Sequence, residues 1–269
     1  MNTIKSLGMV GLAITGLFAA QAFATPVACP AGSQGSPTCI STTNGYGEPT
    51  LEQLFGAAGT PDSIFSQGNG INPYTQQLNP ASYWSINGTG GSENTVMLTL
   101  TGSVHDLQFG IFDPTNTDNK LVLFNGGLKG YTTTLKTNGT GGFAATYFTS
   151  PNPLDPSTGH ASASFGDGNL FGYYLTSGNN TYYSDPTGRS HVVTYAGDGS
   201  NKVAMTNGWF ESGEYLQAWE DGNDFDYNDF VVMVESVHPV PEPAALGMFG
   251  FGVLLLGGFA ALRRRSLKA

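Results

Sequence analysis

Short runs of apolar and β-branched residues, separated by Gly, Asn, Asp and Pro, fill the chain between residues 25 and 239. Runs of this length and composition are typical of β-strands. They predict eleven strands, near residues 82–86, 95–101, 107–112, 120–124, 131–135, 143–148, 170–176, 181–184, 191–195, 215–219 and 230–237. One stretch, residues 50–57, has a helical pattern that Thr50 caps and Gly56 ends. Eleven closely spaced strands predict an all-β fold, a jelly-roll-like β-sandwich, with a β-barrel as the alternative.

The first 24 residues have the parts of a secretory signal peptide. A lysine gives the positive start, residues 7–20 are uncharged and mostly apolar, and Ala22-Phe23-Ala24 has the small residues that signal peptidase accepts. We therefore expect cleavage after this triplet, so that the exported protein begins at Thr25. The alternative interpretation is a buried N-terminal helix.

The tail, residues 239–269, combines a short motif, an apolar run and a basic cluster. In order these are Val240-Pro241-Glu242-Pro243, the uncharged residues 244–262, and Arg263-Arg264-Arg265. The apolar run is close to the ~20 residues that cross a bilayer as a helix. The arginines are expected to stay on the cytoplasmic side. Together with the signal peptide, this places residues 25–239 outside the inner membrane.

The three-part tail closely resembles the PEP-CTERM sorting signal of Gram-negative bacteria. The resemblance implies recognition by an exosortase, a membrane enzyme, followed by removal of the tail. It also implies a transient stay in the inner membrane and delivery to the cell surface or extracellular matrix. A permanent membrane anchor is the alternative, because hydropathy does not separate a retained helix from a removed one.

Two cysteines, Cys29 and Cys39, flank a loop of turn-forming residues just after the signal peptide. In an exported protein with no other Cys, a disulfide between them is the leading interpretation. The surrounding segment, residues 25–47, is rich in Pro, Gly, Ser and Thr and is expected to be a flexible leader. The β-domain is then expected to span residues 48–238.

The charge balance is acidic once the two ends are set aside. Residues 25–239 contain five basic and nineteen acidic side chains. Such a surface repels phosphate backbones, so we expect no binding to nucleic acid. The same surface attracts cations.

Residues 220–229, hereafter called the acidic loop, lie between two predicted strands. Half of these ten residues are acidic, and the loop contains five carboxylates and two Asn amides. Carboxylate and amide oxygens in a short loop are the ligands that Ca²⁺ prefers. The candidate ligands are Glu220, Asp221, Asp224, Asp226, Asn228 and Asp229, with Asp224, Asp226 and Asn228 at alternating positions. The alternative is a solvated acidic turn with residues chosen for turn geometry.

An EF-hand is a poor match to the acidic loop. Counting from Asp224, Glu235 falls at position 12, but Asp229 stands where an EF-hand has Gly, and the flanking segments are predicted strands. Glu235 is therefore only a weak ligand candidate.

The region from about residue 165 to residue 239 resembles an Asp-rich domain of unknown function found in many exosortase-sorted proteins. The resemblance rests on segments such as Ala218-Trp-Glu-Asp-Gly and Asp226-Tyr-Asn-Asp-Phe. It implies a secreted β-domain with suspected cation binding and no known activity.

The expected function is that of a secreted envelope or matrix protein. The sequence has no nucleophile elbow, zincin motif or Walker loop, so we expect no enzyme. We expect a protein associated with exopolysaccharide in the biofilm matrix. The alternative is a secreted carbohydrate-binding module or polysaccharide hydrolase.

Overall fold

The computed structural model describes residues 40–41, 47–78, 82–86, 90–100, 107–126, 129–149, 157–184, 190–222 and 224–240. The predicted signal peptide, the Cys29–Cys39 disulfide and the tail from Pro241 onward lie outside the described residues. Within the described ranges, no helix is long and apolar enough to cross a membrane.

The described chain is almost entirely β-structure. In order, the elements are α1 (Leu51–Leu54), β1 (Phe65–Gln67), β2 (Tyr83–Ser85), β3 (Gly91–Thr99), β4 (Gln108–Asp113), β5 (Asn116–Asn125), β6 (Thr132–Thr137), β7 (Gly142–Phe148), β8 (Gly159–Ser164), β9 (Leu170–Ser177), β10 (Asn180–Tyr183), β11 (Val192–Ala196), β12 (Lys202–Val203), β13 (Glu214–Trp219), β14 (Phe230–Glu235) and β15 (His238–Val240). All eleven predicted strands are confirmed, and β1, β8, β12 and β15 were not predicted.

Two antiparallel sheets face each other across the main core. One has the order β15-β2-β9-β4-β5, with β10 pairing alongside β9, and the other has the order β11-β13-β14-β3-β6-β7-β8. Aromatic rings from the two sheets meet between them: Phe109 lies 5.8 Å from Trp219 and 5.3 Å from Phe230, measured between ring centroids. This packing confirms the predicted β-sandwich.

A second core covers the other face of the seven-stranded sheet. Val231 and Met233 of β14 point into it, whereas Val232 and Val234 point into the main core. The central strand β14 is thus buried on both faces, which explains its nearly continuous apolar sequence. The second core is closed by α1, β1, β12 and the loops around them.

Residues at or just outside the predicted limits of the β-domain are part of the folded structure. Ile40 is fully buried in the second core, so the end of the predicted flexible leader is packed against the domain. His238 and Pro239, at the limit between the predicted β-domain and the predicted tail, pair with β2 in strand β15. The predicted helix begins as expected, with a capping box formed by Thr50 and Gln53, but it is shorter than expected and ends at Leu54.

Candidate metal centre

The acidic loop connects two neighbouring strands of the seven-stranded sheet. Strands β13 and β14 are antiparallel partners, and their last pair at this end is Trp219 with Phe230. Because both strands are held on each side by further strands, the two ends of the loop are fixed in position.

Two buried aromatic residues determine the course of the acidic loop. Phe225 and Tyr227 have positive φ angles of 59° and 56°, a conformation that costs free energy in bulky residues. Both rings are buried in the second core, and the Tyr227 hydroxyl donates a hydrogen bond of 2.9 Å to the Ser190 carbonyl. Burial of the two rings offsets the backbone strain.

Four carboxylates of the acidic loop come together. One carboxylate oxygen from each of Glu220, Asp224, Asp226 and Asp229 lies within 4.8 Å of the others. Two of these residues, Asp224 and Asp226, belong to the predicted alternating set, while Glu220 and Asp229 come from the positions next to β13 and β14. This cluster could hold a metal ion.

Among the described residues of the acidic loop, two side-chain oxygens are buried without a hydrogen-bond partner. They are Oδ2 of Asp226 and Oδ1 of Asn228, from side chains that are 1% and 0% exposed. The Asn228 amide nitrogen donates 2.9 Å to the carbonyl of Pro49, which fixes the amide and leaves its oxygen unpaired. A buried acceptor without a donor is unfavourable by about 1–3 kcal/mol, and a cation would satisfy both oxygens.

Burial and mutual repulsion raise the pKa values of three carboxyl groups in the cluster and so favour their protonated forms. Burial and the charge of Asp224 raise the pKa of Asp226 to about 7. Burial, with the charges of Asp221 and Asp226, raises the pKa of Asp229 to about 8, although the Asp221 N–H lowers it. Burial and the Asp229 charge also raise the pKa of Glu220. A bound dication would reverse this preference, because it stabilises the ionised carboxylates.

Backbone N–H groups orient two of the clustered carboxylates. Oε1 of Glu220 accepts 2.7 Å from the Gly222 N–H, and Oδ2 of Asp229 accepts 2.8 Å from the Asp221 N–H. These bonds fix the side chains without neutralising them, so both carboxylates are preorganised for a ligand.

Asp221 and Glu235, two sequence candidates, lie outside the cluster. The Ser177 hydroxyl donates 2.8 Å to Oδ2 of Asp221, which turns this carboxylate toward β9. Glu235 is at the opposite end of β14, where it pairs with Glu214 of β13. The structure therefore gives Glu235 no part in the acidic loop.

Residues from distant parts of the chain support the acidic loop. His191 stacks on Tyr182 with 4.0 Å between ring centroids, and its Nδ1 lies 3.1 Å from the Glu220 carbonyl. The Tyr182 hydroxyl donates 2.7 Å to the Asp221 carbonyl. Glu48 is also close enough for the charges of Asp224 and Asp221, after burial, to raise its pKa. No local sequence motif could have connected these residues with the loop.

Comparison with known proteins identifies the C-terminal tail. Residues 239–265 match the PEP-CTERM protein-sorting motif family. The chain carries a PEP-CTERM motif. No curated protein matches the chain. The PEP-CTERM motif supports export, transient anchoring in the membrane and processing by an exosortase, and its first residues, Pro239 and Val240, are part of β15.

Proposed function

We propose that this protein is a non-enzymatic component of the cell surface or extracellular biofilm matrix, stabilised by Ca²⁺ in the acidic loop. The PEP-CTERM motif supports export and processing by an exosortase. The observation that carries the calcium site is the pair of buried, unpartnered oxygens on Asp226 and Asn228 beside three further carboxylates.

The ligand set favours Ca²⁺ over other common metals. All the available ligands are oxygens, from four carboxylates and one amide, and none is a thiolate or imidazole. Hard oxygen ligands select Ca²⁺ or Mg²⁺, and Ca²⁺ accepts the irregular geometry of a loop more readily. Extracellular sites of this type work at calcium affinities of about 10⁻⁴–10⁻³ M.

Calorimetric titration of the full chain in detergent, after removal of metals with EDTA, tests the calcium site. We expect Ca²⁺ binding in the unmutated protein and a loss of at least about tenfold in affinity for Asp226→Asn, which keeps the side-chain size but removes the charge. Asp118→Asn removes an exposed carboxylate from β5 and serves as the control. Binding that survives Asp226→Asn would place the ion elsewhere, and no binding by the unmutated chain would leave the loop as an acidic turn.

Association with exopolysaccharide is supported by a cleft at the side of the sandwich. The cleft has a volume of about 380 Å³, and the described residues that line it include Tyr131, Tyr147, Gln108 and Asn125 and no charged side chain. Aromatic rings stack on sugar rings, and amides form hydrogen bonds with hydroxyl groups. We therefore expect purified full chain to bind the exopolysaccharide of its own host, and Tyr131→Ala to weaken this binding. Hydrolysis of the polymer would show an enzyme instead.

Sorting is tested by mass spectrometry of the protein recovered from the culture medium. The proposal predicts a mature C-terminus that lacks the basic cluster Arg263-Arg264-Arg265. Recovery of material that retains these residues would show a permanent anchor.

A further inference from the structure

The peptide unit between Glu220 and Asp221 connects a side chain outside the acidic loop with a carboxylate of the cluster. Its carbonyl lies 3.1 Å from Nδ1 of His191, and because a carbonyl only accepts, Nδ1 donates this hydrogen bond. Its N–H donates 2.8 Å to Oδ2 of Asp229. The carbonyl and the N–H of a planar trans peptide point in opposite directions, so a donor that fixes the carbonyl also directs the N–H toward Asp229.

The next peptide unit, between Asp221 and Gly222, is arranged in the same way. Its carbonyl accepts 2.7 Å from the Tyr182 hydroxyl, and its N–H donates 2.7 Å to Oε1 of Glu220. Glu220 and Asp229 are two of the four clustered carboxylates. The orientation of half of the cluster is thus linked, through two peptide units, to two side chains outside the acidic loop.

These two side chains, hereafter the Tyr182–His191 pair, stack on each other with 4.0 Å between ring centroids. Tyr182 belongs to β10, which pairs with β9 of the six-stranded sheet. His191 directly precedes β11, which pairs with β13 of the seven-stranded sheet, and its carbonyl accepts 2.9 Å from the Glu220 N–H. The pair is therefore held by both sheets beside the acidic loop.

Asp221 lies at the corner between the two peptide units. Its N–H belongs to the first unit and its carbonyl to the second, and its Oδ2 accepts 2.8 Å from the Ser177 hydroxyl of β9. The N–H, the carbonyl and the carboxylate of Asp221 thus each have a partner. This arrangement explains why a residue that the sequence suggests as a ligand lies outside the cluster.

We propose that the Tyr182–His191 pair positions the carboxylates of Glu220 and Asp229 for the cation through the two peptide units. This inference rests on the proposed calcium site. Neither side chain of the pair is a ligand, so both are positioning residues. Hydrogen bonds in a chain polarise one another, so a carbonyl that accepts a bond makes the N–H of its own peptide unit a stronger donor.

Removal of single hydroxyl groups tests the role of Tyr182. The experiment compares three full-length proteins in detergent, the unmutated chain, Tyr182→Phe and Tyr183→Phe, by calorimetric titration with Ca²⁺ after removal of metals with EDTA. Both variants keep the ring and lose one hydroxyl of β10, but the ring of Tyr183 packs against Phe112, 5.0 Å away between centroids. We expect Tyr182→Phe to weaken Ca²⁺ binding by about tenfold, as the loss of a partner behind a metal ligand does, and Tyr183→Phe to leave it unchanged.

His191→Phe tests the other member of the pair. This variant keeps a ring that can stack on Tyr182 but removes the Nδ1 donor, so we expect a similar loss of calcium affinity. Urea denaturation in EDTA separates positioning from a merely structural role. If Tyr182 and His191 were only structural, their variants would lower stability in EDTA and leave the Kd for Ca²⁺ unchanged.

Hydrogen–deuterium exchange provides a further measurement, because coupling between two sites is reciprocal. Ca²⁺ should slow exchange in peptides that cover β10 in the unmutated chain and in Tyr183→Phe, and this protection should be lost in Tyr182→Phe. Equal calcium affinities of Tyr182→Phe and the unmutated chain, or equal losses in Tyr182→Phe and Tyr183→Phe, would overturn the role of the pair but leave the calcium site standing. Absence of Ca²⁺ binding in the unmutated chain would overturn both.

Discussion

Three glutamates lie side by side across neighbouring strands at the end of the seven-stranded sheet opposite the acidic loop. Glu214 of β13 and Glu235 of β14 are direct partners, and Glu93 of β3 is close enough for its charge to act on Glu235. Burial, followed by the charges of Glu214 and Glu93, raises the pKa of Glu235 from 4.5 to about 7. Like charges on adjacent strands destabilise a sheet, so ionisation of Glu235 should weaken the fold.

The direction of the pH effect follows from the raised pKa. Between about pH 4.5 and 7 the folded protein keeps a proton on Glu235 that the unfolded chain has lost, so the contribution of this residue to stability falls as the pH rises through that range. One pKa unit corresponds to about 1.4 kcal/mol. Because Glu235 is only partly buried, solvent screening reduces the expected loss of stability on ionisation of Glu235 to about 1–2 kcal/mol.

Glu235→Gln should therefore stabilise the protein at high pH. We expect the variant to be more stable than the unmutated chain by about 1–2 kcal/mol at pH 8, and equally stable within error at pH 4.5. Urea denaturation in EDTA at both pH values measures the difference in the free energy of unfolding. The acidic loop is the same in both proteins, so its contribution cancels in this difference. Glu52→Gln, in the exposed first turn of α1, is the matched control. A stability difference for Glu235→Gln that does not change with pH would refute the reasoning.

Two other outcomes can be measured by the unfolding of the full chain. Calcium at about a hundred times Kd should stabilise the fold by about 2.7 kcal/mol and raise Tm by about 5–10 °C relative to EDTA; the same Tm in both conditions would contradict a folded-state calcium site. Gly172→Ala should lower stability by about 2–3 kcal/mol, because a Cβ would lie 2.2 Å from a ring carbon of Phe112. Gly159→Ala, whose Cβ would make only an ordinary contact of 3.5 Å, is its control, and equal urea midpoints for the two variants would contradict this packing argument.

The strands that could be predicted are those with bulky apolar side chains. Strand β14, with five consecutive buried apolar residues, has a sequence that specifies its position in the centre of the fold. Strand β8 was missed because its sequence, Gly-His-Ala-Ser-Ala-Ser, has only small residues and one His. Strand β15 was missed because Pro239 suggests a linker, although a proline is tolerated in a short strand at the edge of a sheet.

The candidate site could be predicted only where its ligands are neighbours in sequence. The alternating spacing of Asp224, Asp226 and Asn228 in the sequence locates the acidic loop, because side chains at alternate positions tend to lie on the same side of the backbone. Tyr182 and His191 reach the loop only because the fold brings distant parts of the chain together. The sequence also does not show that the Asp221 carboxylate points away from the cluster, because this orientation depends on the Ser177 hydroxyl of β9.

The position of β15 limits how far the folded domain can stand from the membrane. Val240, the last residue of this strand, pairs with Tyr83, and the apolar run predicted to cross the bilayer begins only four residues later. A fully extended chain covers about 3.6 Å per residue, so the tether between the sandwich and the bilayer is at most about 14 Å long. If residues 244–262 cross the bilayer as the sequence predicts, the edge of the six-stranded sheet stays close to the lipid headgroups until the tail is removed. An exosortase acting on this chain would then meet the motif Pro241-Glu242-Pro243 close to the membrane surface.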